Sequence, residues 1–389
     1  MQKRSLNHYP KVSVILLNYN GISDTRACLY SLIKTTYPNI NIIVVDNGSF
    51  VNEAVILRKE FHEKKNLIRC IRFNKNWGFA GGYNRIIKKV KSKYIVVLNN
   101  DTIVTKNWLE KLVIAAEKDD QIGVCQPKIM SLNKRDYFEY AGGAGGYVDK
   151  LGYPYAQGRI MFHLEQDNGQ YDQQKEIFWA SGAAMFIRRQ ILKQSGLFDE
   201  DLFAYVEEGD LCWRIKKAGF KIVVVPKARI YHKGLGTWSK FSQKKTFLIH
   251  RNSLIVLLEH LSIKKLLWVF PLRILLDYAS IIFYISTGRV DFSLSVISAH
   301  FSLIVRMKSI VRKRNHIFWN RNRTLTERDM YPTSIIWEYF IKGKRRYSEL
   351  LGVSSQIPTI HYAEMLQIKS LVIQKRKFEK IISSVKKAF

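Results

Sequence analysis

The chemistry of this 389-residue sequence centres on two acidic groups and one histidine. Asn99-Asn100-Asp101 follows Tyr94-Ile95-Val96-Val97-Leu98, a run that stays apolar to its last residue. A lone charge is costly to bury, so Asp101 must face a crevice, pair, or hold a metal. Mg²⁺ and Mn²⁺ take oxygen ligands and bind through one or two carboxylates together with substrate phosphates. Standing alone, the tripeptide reads equally well as a strand-end turn. Glu207-Glu208 is the second acidic group. Adjacent carboxylates crowd one another, which raises the pKa of one and suits it to deprotonating a hydroxyl near neutral pH. Asp210 reads as the carboxylate that opens a helix over Leu211–Ala218. His232 ends a further apolar run and could return to the same crevice as a metal ligand; a lone histidine reads otherwise as structural.

These groups need a scaffold, and the first hundred residues supply an alternation of strands and helices. Strands are expected at Val12–Leu17, Asn41–Val45, Leu67–Phe73 and Tyr94–Leu98, with helices near Ser23–Thr35, Asn52–Lys64 and Gly81–Lys91. Apolar strands separated by helices imply an α/β fold with a mostly parallel sheet flanked by helices. Its ligand crevice lies beyond the carboxyl ends of the strands. Asn18 and Asn20, Asp46-Asn47-Gly48-Ser49, and Asn99-Asn100-Asp101 all fall at such ends. Asp46 there could accept hydrogen bonds from a nucleotide base or ribose. Asn74–Asn84 joins strand to helix through small residues that let backbone approach a diphosphate. From Gly142 to Gln174 the glycines and polar residues read as mobile loops, and Lys221–Pro226 as the last strand.

Composition is that of a globular chain, but 63 Lys+Arg against 32 Asp+Glu give a formal charge of +31. That excess predicts attraction to polyanions: nucleic acid, anionic lipid or phosphorylated ligands. Leu254–Val305 is rich in Leu, Ile and Phe, and residues 301–389 carry 19 Lys+Arg against 6 Asp+Glu. This combination suggests helices on an anionic membrane surface, the alternative being a helical subdomain packed on the core. No run of 18 apolar residues supports a spanning helix, Ile274–Thr287 being interrupted by Asp277 and too short. No signal peptide is visible, and four scattered cysteines fit a reducing compartment.

Taken in order, Val12–Ile15, Asn18-Tyr19-Asn20, Val44–Ser49, Asn74–Asn84, Leu98–Asp101, Gly182–Met185, Gly196–Glu200, Glu207–Leu211 and His232 resemble glycosyltransferase family 2 over about residues 11–240. The resemblance implies the GT-A (nucleotide-diphospho-sugar transferase, Rossmann-like) fold and inversion at the anomeric centre, as in rhamnosyltransferases. It divides the chain into a catalytic domain, 1–245, and a basic, apolar helical C-terminal region, 246–389. Asp101 then matches the last residue of the family's DxD motif, with Asn99 in place of its first acid and His232 as a further metal ligand for Mg²⁺ or Mn²⁺. Glu208 matches the catalytic base. Asn18, Asn20, Asp46, Asn76, Gly78, Asn84 and Asn100 fall to the nucleotide-sugar, and Trp179, Ser181, Gly182 and Glu207 to the acceptor. The implied donor is a UDP- or dTDP-sugar and the acceptor a glycan or lipid-linked hydroxyl, at the cytoplasmic face of a bacterial membrane in surface-polysaccharide synthesis.

Rival readings are a nucleotidyltransferase on a similar α/β sheet and a polyanion- or nucleic-acid-binding protein. No nucleic-acid module is legible, and aromatic residues are not interleaved with basic ones as a stacking platform needs, so no nucleic-acid partner is expected. A processive polysaccharide synthase would carry a QxxRW signature, which the sequence lacks.

Overall fold

The computed structural model describes residues 9–234, 242–319, 325–353 and 356–365. The expected alternation builds its first half: β1 (Val12–Asn18), α1 (Ile22–Leu32), β2 (Ile40–Asp46), α2 (Glu53–Glu60), β3 (Ile68–Arg72), α3 (Gly78–Ile87) and β4 (Tyr94–Asn99). β2 lies parallel between β1 and β3, and β4 is parallel to β1. The register sets Asn18 beside Asp46 and Leu17 beside Asn99, so the polar strand ends meet along one edge.

The second half of the sheet is mixed. After β5 (Thr102–Val104), α4 (Trp108–Glu117) and β6 (Ile122–Ser131) comes a segment expected to be loop, which instead forms β7 (Gly146–Val148), β8 (Pro154–Ala156), β9 (Arg159–Ile160) and β10 (His163–Glu165). These short antiparallel strands are turned by Gly152 and Gly158, both at positive φ. Strands of two or three residues are too short to show alternation in sequence. Then follow β11 (Lys175–Glu176), β12 (Ala184–Arg188), α5 (Leu192–Ser195), α6 (Glu207–Lys217) and β13 (Lys221–His232). β12 inserts antiparallel between β4 and β6, giving the order β11-β13-β6-β12-β4-β1-β2-β3. α6 begins at Glu207, earlier than expected, and β13 continues to His232 itself. β13 also pairs antiparallel with β5, and that register puts His232 opposite Thr102, one residue past Asp101.

Beyond the sheet lie α7 (Gln243–His260), α8 (Ile263–Ser286), α9 (Val290–Trp319) and β14 (Thr359–His361). α7 and part of α8 bury Leu254, Ile255, Leu257 and Val269 in the same core as Ile15 and Val97. β14 returns to pair with β10 in the small sheet.

α8 corrects the sequence expectation, for it is a 24-residue helix that runs through both Pro271 and Asp277. Its interrupting polar residues face inward. Asp277 bridges His250 and His300 at 2.9 Å each, and Arg273 donates to the Leu151 carbonyl and Ser253. The outer faces of α8 and α9 are apolar, with Leu275 and Ile282 of α8 at 63% and 68% exposure and Val305 of α9 at 86%. Ile263–Ser286 and Val290–Ile317 are both long and apolar enough to cross a bilayer, by length and composition. The basic residues after 365 lie outside the described residues.

Candidate functional site

A cleft of about 300 Å³ opens at the polar strand ends. Asn18, Asn76, Gly78, Asn99, Asn100, Asp101, Ser181, Gly182, Glu207, Glu208 and His232 all line it. The remaining sequence candidates do not. Asp46 is fully buried, accepting from Ser49 N at 2.8 Å with Arg72 at 3.6 Å. Asn20 ties the β1 and β2 ends together, accepting from Phe50 N at 2.9 Å. Asn84 spends its amide on the backbone of Phe198 and on Glu200. Trp179 is buried and donates to the Tyr147 carbonyl at 2.8 Å. Asn18 and Asn100 line the cleft floor but are committed to a network, Asn18 donating to Glu53 at 2.6 Å and Asn100 to Thr25 at 2.9 Å.

His232 lies between two carboxylates. Nε2 lies 3.0 Å from Asp101 Oδ1 and Nδ1 lies 3.1 Å from Glu139 Oε2. Burial alone would push the imidazole pKa down, but the two carboxylates override it and hold it well above the ordinary histidine value. Asp101 in turn is held below the usual carboxylate range by His232, against its own burial. The donor set fits a divalent cation. Were a cation to replace the Nε2 proton, Asp101 and His232 would be the residues to hold it, with Glu139 beside the far ring nitrogen, a frequent arrangement around metal-bound histidine. The Asn99 amide lies 3.3 Å from the same Nε2. A second acid–histidine group, Asp210, Glu259 and His260, has ligand atoms within 4.8 Å of one another. It is buried away from the cleft, and Asp210 already pairs with Arg214 and His260. Asp210 lies in the first turn of a helix as expected, one that starts earlier at Glu207, and its side chain also ties α6 to α7 through His260.

Glu207 and Glu208, which line the same cleft, occupy the first turn of α6. Burial, and for Glu207 the neighbouring Glu208 charge, raise both carboxyls above the ordinary range. One oxygen of each is buried without a hydrogen bond among the described residues. The backbone that delivers them is strained: Phe203, Tyr205 and Val206 all sit at positive φ, at 63°, 68° and 74°. Such conformations cost about 1–3 kcal/mol each and persist only where surroundings enforce them. Asn252 of α7 is the enforcing group, its Nδ2 lying 2.9, 2.9 and 2.7 Å from the carbonyls of Leu202, Ala204 and Tyr205.

The Asn74–Asn84 segment folds differently from a free phosphate nest. Trp77 N donates to Asn47, Gly78 N to Asn76, and Phe79 N and Ala80 N to the Phe203 carbonyl. Gly78, at φ 70°, has no room for a Cβ, which would lie 2.5 Å from that carbonyl.

Glu139, Lys245 and Tyr362 are among the lining residues that the sequence did not point to. Tyr362 follows β14, stacks on Tyr140 at 4.4 Å and donates to the Gly234 carbonyl at 3.1 Å. Only Glu139 carried a usable signal, an acid just before the glycine-rich turn at Gly142.

Residues 13–196 match the family described as Glycosyl transferase family 2. An uncharacterized glycosyltransferase of Haemophilus influenzae is 31% identical over 117 residues, covering 30% of this chain and 36% of that one. The N-acetylglucosaminyl-diphospho-decaprenol L-rhamnosyltransferase of Mycobacterium tuberculosis is 24% identical over 234 residues, covering 56% of this chain and 75% of its own. The chain spans only 24% to 36% of the length of the first relatives it matches. Among solved structures, GalNAc-T7 with UDP, GalNAc and Mn²⁺ superposes with a TM-score of 0.53 at 20% identity, covering 67% of this chain and 49% of that one. That likeness is one of fold, the GT-A arrangement of a curled mixed sheet flanked by helices. Over residues 13–196, just under half of its length, the chain is thus similar to glycosyl transferase family 2.

Proposed function

We propose that the chain is an inverting glycosyltransferase that moves a sugar from a nucleotide-sugar to a hydroxyl of a glycan or lipid-linked acceptor. The observation that carries this reading is that one cleft is lined by both the Asp101–His232–Glu139 cluster and the carboxyl pair Glu207–Glu208. Asp101 and His232 would hold Mg²⁺ or Mn²⁺, which when bound neutralises charge growing on the departing nucleoside diphosphate. Glu208 takes the proton of the acceptor hydroxyl as it attacks the anomeric carbon from the face opposite the leaving group. Glu207, Ser181 and Gly182 orient the acceptor, and Asn18, Asn76 and Asn100 shape the donor side. Holding both partners in line supplies much of the rate.

The test is a panel of nucleotide-sugars, assayed with Mn²⁺ or Mg²⁺ for release of nucleoside diphosphate with and without lipid-linked acceptors. One donor should turn over, faster with acceptor, and stop on chelation. Release of pyrophosphate from a nucleoside triphosphate would instead establish the nucleotidyltransferase. The M. tuberculosis relative is named for a diphospho-decaprenol acceptor, which supports a lipid-linked substrate and a role in surface-polysaccharide synthesis.

The exposed apolar face of α8 and α9 supports peripheral attachment to an anionic membrane at its cytoplasmic side. We place the boundary of the catalytic domain near residue 245, with 246–389 forming the attachment region and also returning Tyr362 to the cleft. Wild-type protein should sediment with vesicles containing anionic lipid, less so at high salt. A double variant, Leu275→Glu with Val305→Glu, should stay in the supernatant. Equal partition of the two proteins would refute attachment through this face.

A further inference from the structure

A nucleoside diphosphate brings two to three negative charges into a cleft that already holds Asp101, Glu139, Glu207 and Glu208. One divalent cation balances only part of that. The backbone amides at the start of α3, which a phosphate-binding loop would offer, are turned inward onto Asn47, Asn76 and Phe203. Some other donor must meet the phosphates.

Lys245 is placed to do so. It lies in the first turn of α7, where Ser242 accepts from its backbone N–H, and its side chain lines the cleft. The ammonium stands 5.2 Å from the centroid of the Tyr205 ring, on the strained turn before Glu207. Among the described residues it makes no hydrogen bond and no ion pair, though it is partly buried. An ammonium drawn partly out of water with a ring face and a distant carboxylate but no hydrogen-bonding anion is under-satisfied; an arriving anion would remove that penalty and gain a charge-assisted hydrogen bond.

Resting on the donor class proposed above, we infer that Lys245 binds the diphosphate of the nucleotide-sugar and stabilises the leaving nucleoside diphosphate. It would thus share the phosphate charge with the cation at Asp101 and His232. Neither the matched family domain, which ends at residue 196, nor the strand-end motifs contain this group.

Calorimetric titration of the full chain with UDP, dTDP, GDP and inorganic pyrophosphate, each in excess Mg²⁺, tests it, with uridine and thymidine as uncharged controls. Losing one charge-assisted contact should weaken diphosphate and pyrophosphate binding in Lys245→Met roughly ten- to a hundredfold. Nucleoside binding should be unchanged, and Lys245→Arg, which keeps the charge, should bind the diphosphate more tightly than Lys245→Met. In turnover the loss should fall on kcat as well as donor KM, because the contact strengthens as the diphosphate departs. Unchanged diphosphate affinity in a folded Lys245→Met, with binding lost in Asp101→Asn, would overturn the inference and leave the glycosyltransferase reading intact. Lys245-dependent pyrophosphate binding without binding of any nucleoside diphosphate would overturn the donor reading and, with it, the inference. Wild-type protein that binds neither would overturn both.

Discussion

Asp101→Asn should reduce sugar transfer roughly a thousandfold while leaving the protein folded. Lewis-acid stabilisation of the leaving group is worth several kcal/mol, and about 1.4 kcal/mol is tenfold in rate. Asparagine keeps the shape and can still reach His232 Nε2, 3.0 Å away in the wild type, so the sheet edge should survive. What disappears is the anionic oxygen that a hard cation prefers. The same cluster predicts a pH dependence. His232 is held protonated above its ordinary pKa by Asp101 and Glu139, and a cation can take Nε2 only when that proton leaves. Mn²⁺ affinity in the wild type should therefore rise with pH through neutrality, with a proton released on binding. The imidazolium's contribution to fold stability runs the opposite way. It is fully present below the ordinary histidine pKa and is lost as pH rises through the raised one. Glu139→Gln, which disturbs only the far nitrogen, should weaken metal binding by about ten- to a hundredfold. Full activity in Asp101→Asn with unaltered Mn²⁺ affinity would remove the metal from this cluster.

What could be foreseen from sequence follows the physics of strand ends. Asn18, Asp101 and His232 each terminate an apolar run, so their polarity marks where the chain leaves the core. Crossing from β13 to β5 supplied the pairing of His232 with Asp101, and no local pattern announces that register. Motif position does not reveal side-chain direction. Asn84 and Trp179 stand in the right segments but point at backbone carbonyls of Phe198 and Tyr147. Lys245 reads in sequence as one more solvated lysine in a basic stretch. It becomes a cleft residue only because α7 packs across the turn at Phe203–Val206. Tyr362 is less foreseeable still, since it depends on a three-residue strand joining β10 from nearly two hundred positions away. α8 was obscured for a different reason. Asp277 and Arg273 look like interruptions until His250, His300 and the Leu151 carbonyl are seen to receive them.

Glu208→Gln should lower kcat by about 10²–10⁴-fold, the usual contribution of a positioned base, while donor and metal affinity stay near wild type. The fold gives this prediction an internal control. Glu207 and Glu208 are crowded together with one oxygen of each unsatisfied, so neutralising either relieves repulsion at neutral pH. Both Glu208→Gln and Glu207→Gln should therefore melt no lower than wild type, and activity loss cannot be ascribed to unfolding. The two should differ in kinetics. Glu207→Gln should raise acceptor KM, whereas Glu208→Gln should abolish the rise of kcat with pH. That rise should lie above the ordinary glutamate range, because burial lifts the Glu208 carboxyl and only its ionised form accepts a proton. Asn252→Ala approaches the same base from behind. It removes the donor shared by three carbonyls of the strained turn, so kcat should fall and the melting temperature with it. Metal affinity at Asp101 and His232, which the turn does not contain, should not change. If Glu208→Gln keeps the wild-type kcat and pH profile while Glu207→Gln loses both, the base is Glu207 and the acceptor binds with the roles of the pair exchanged.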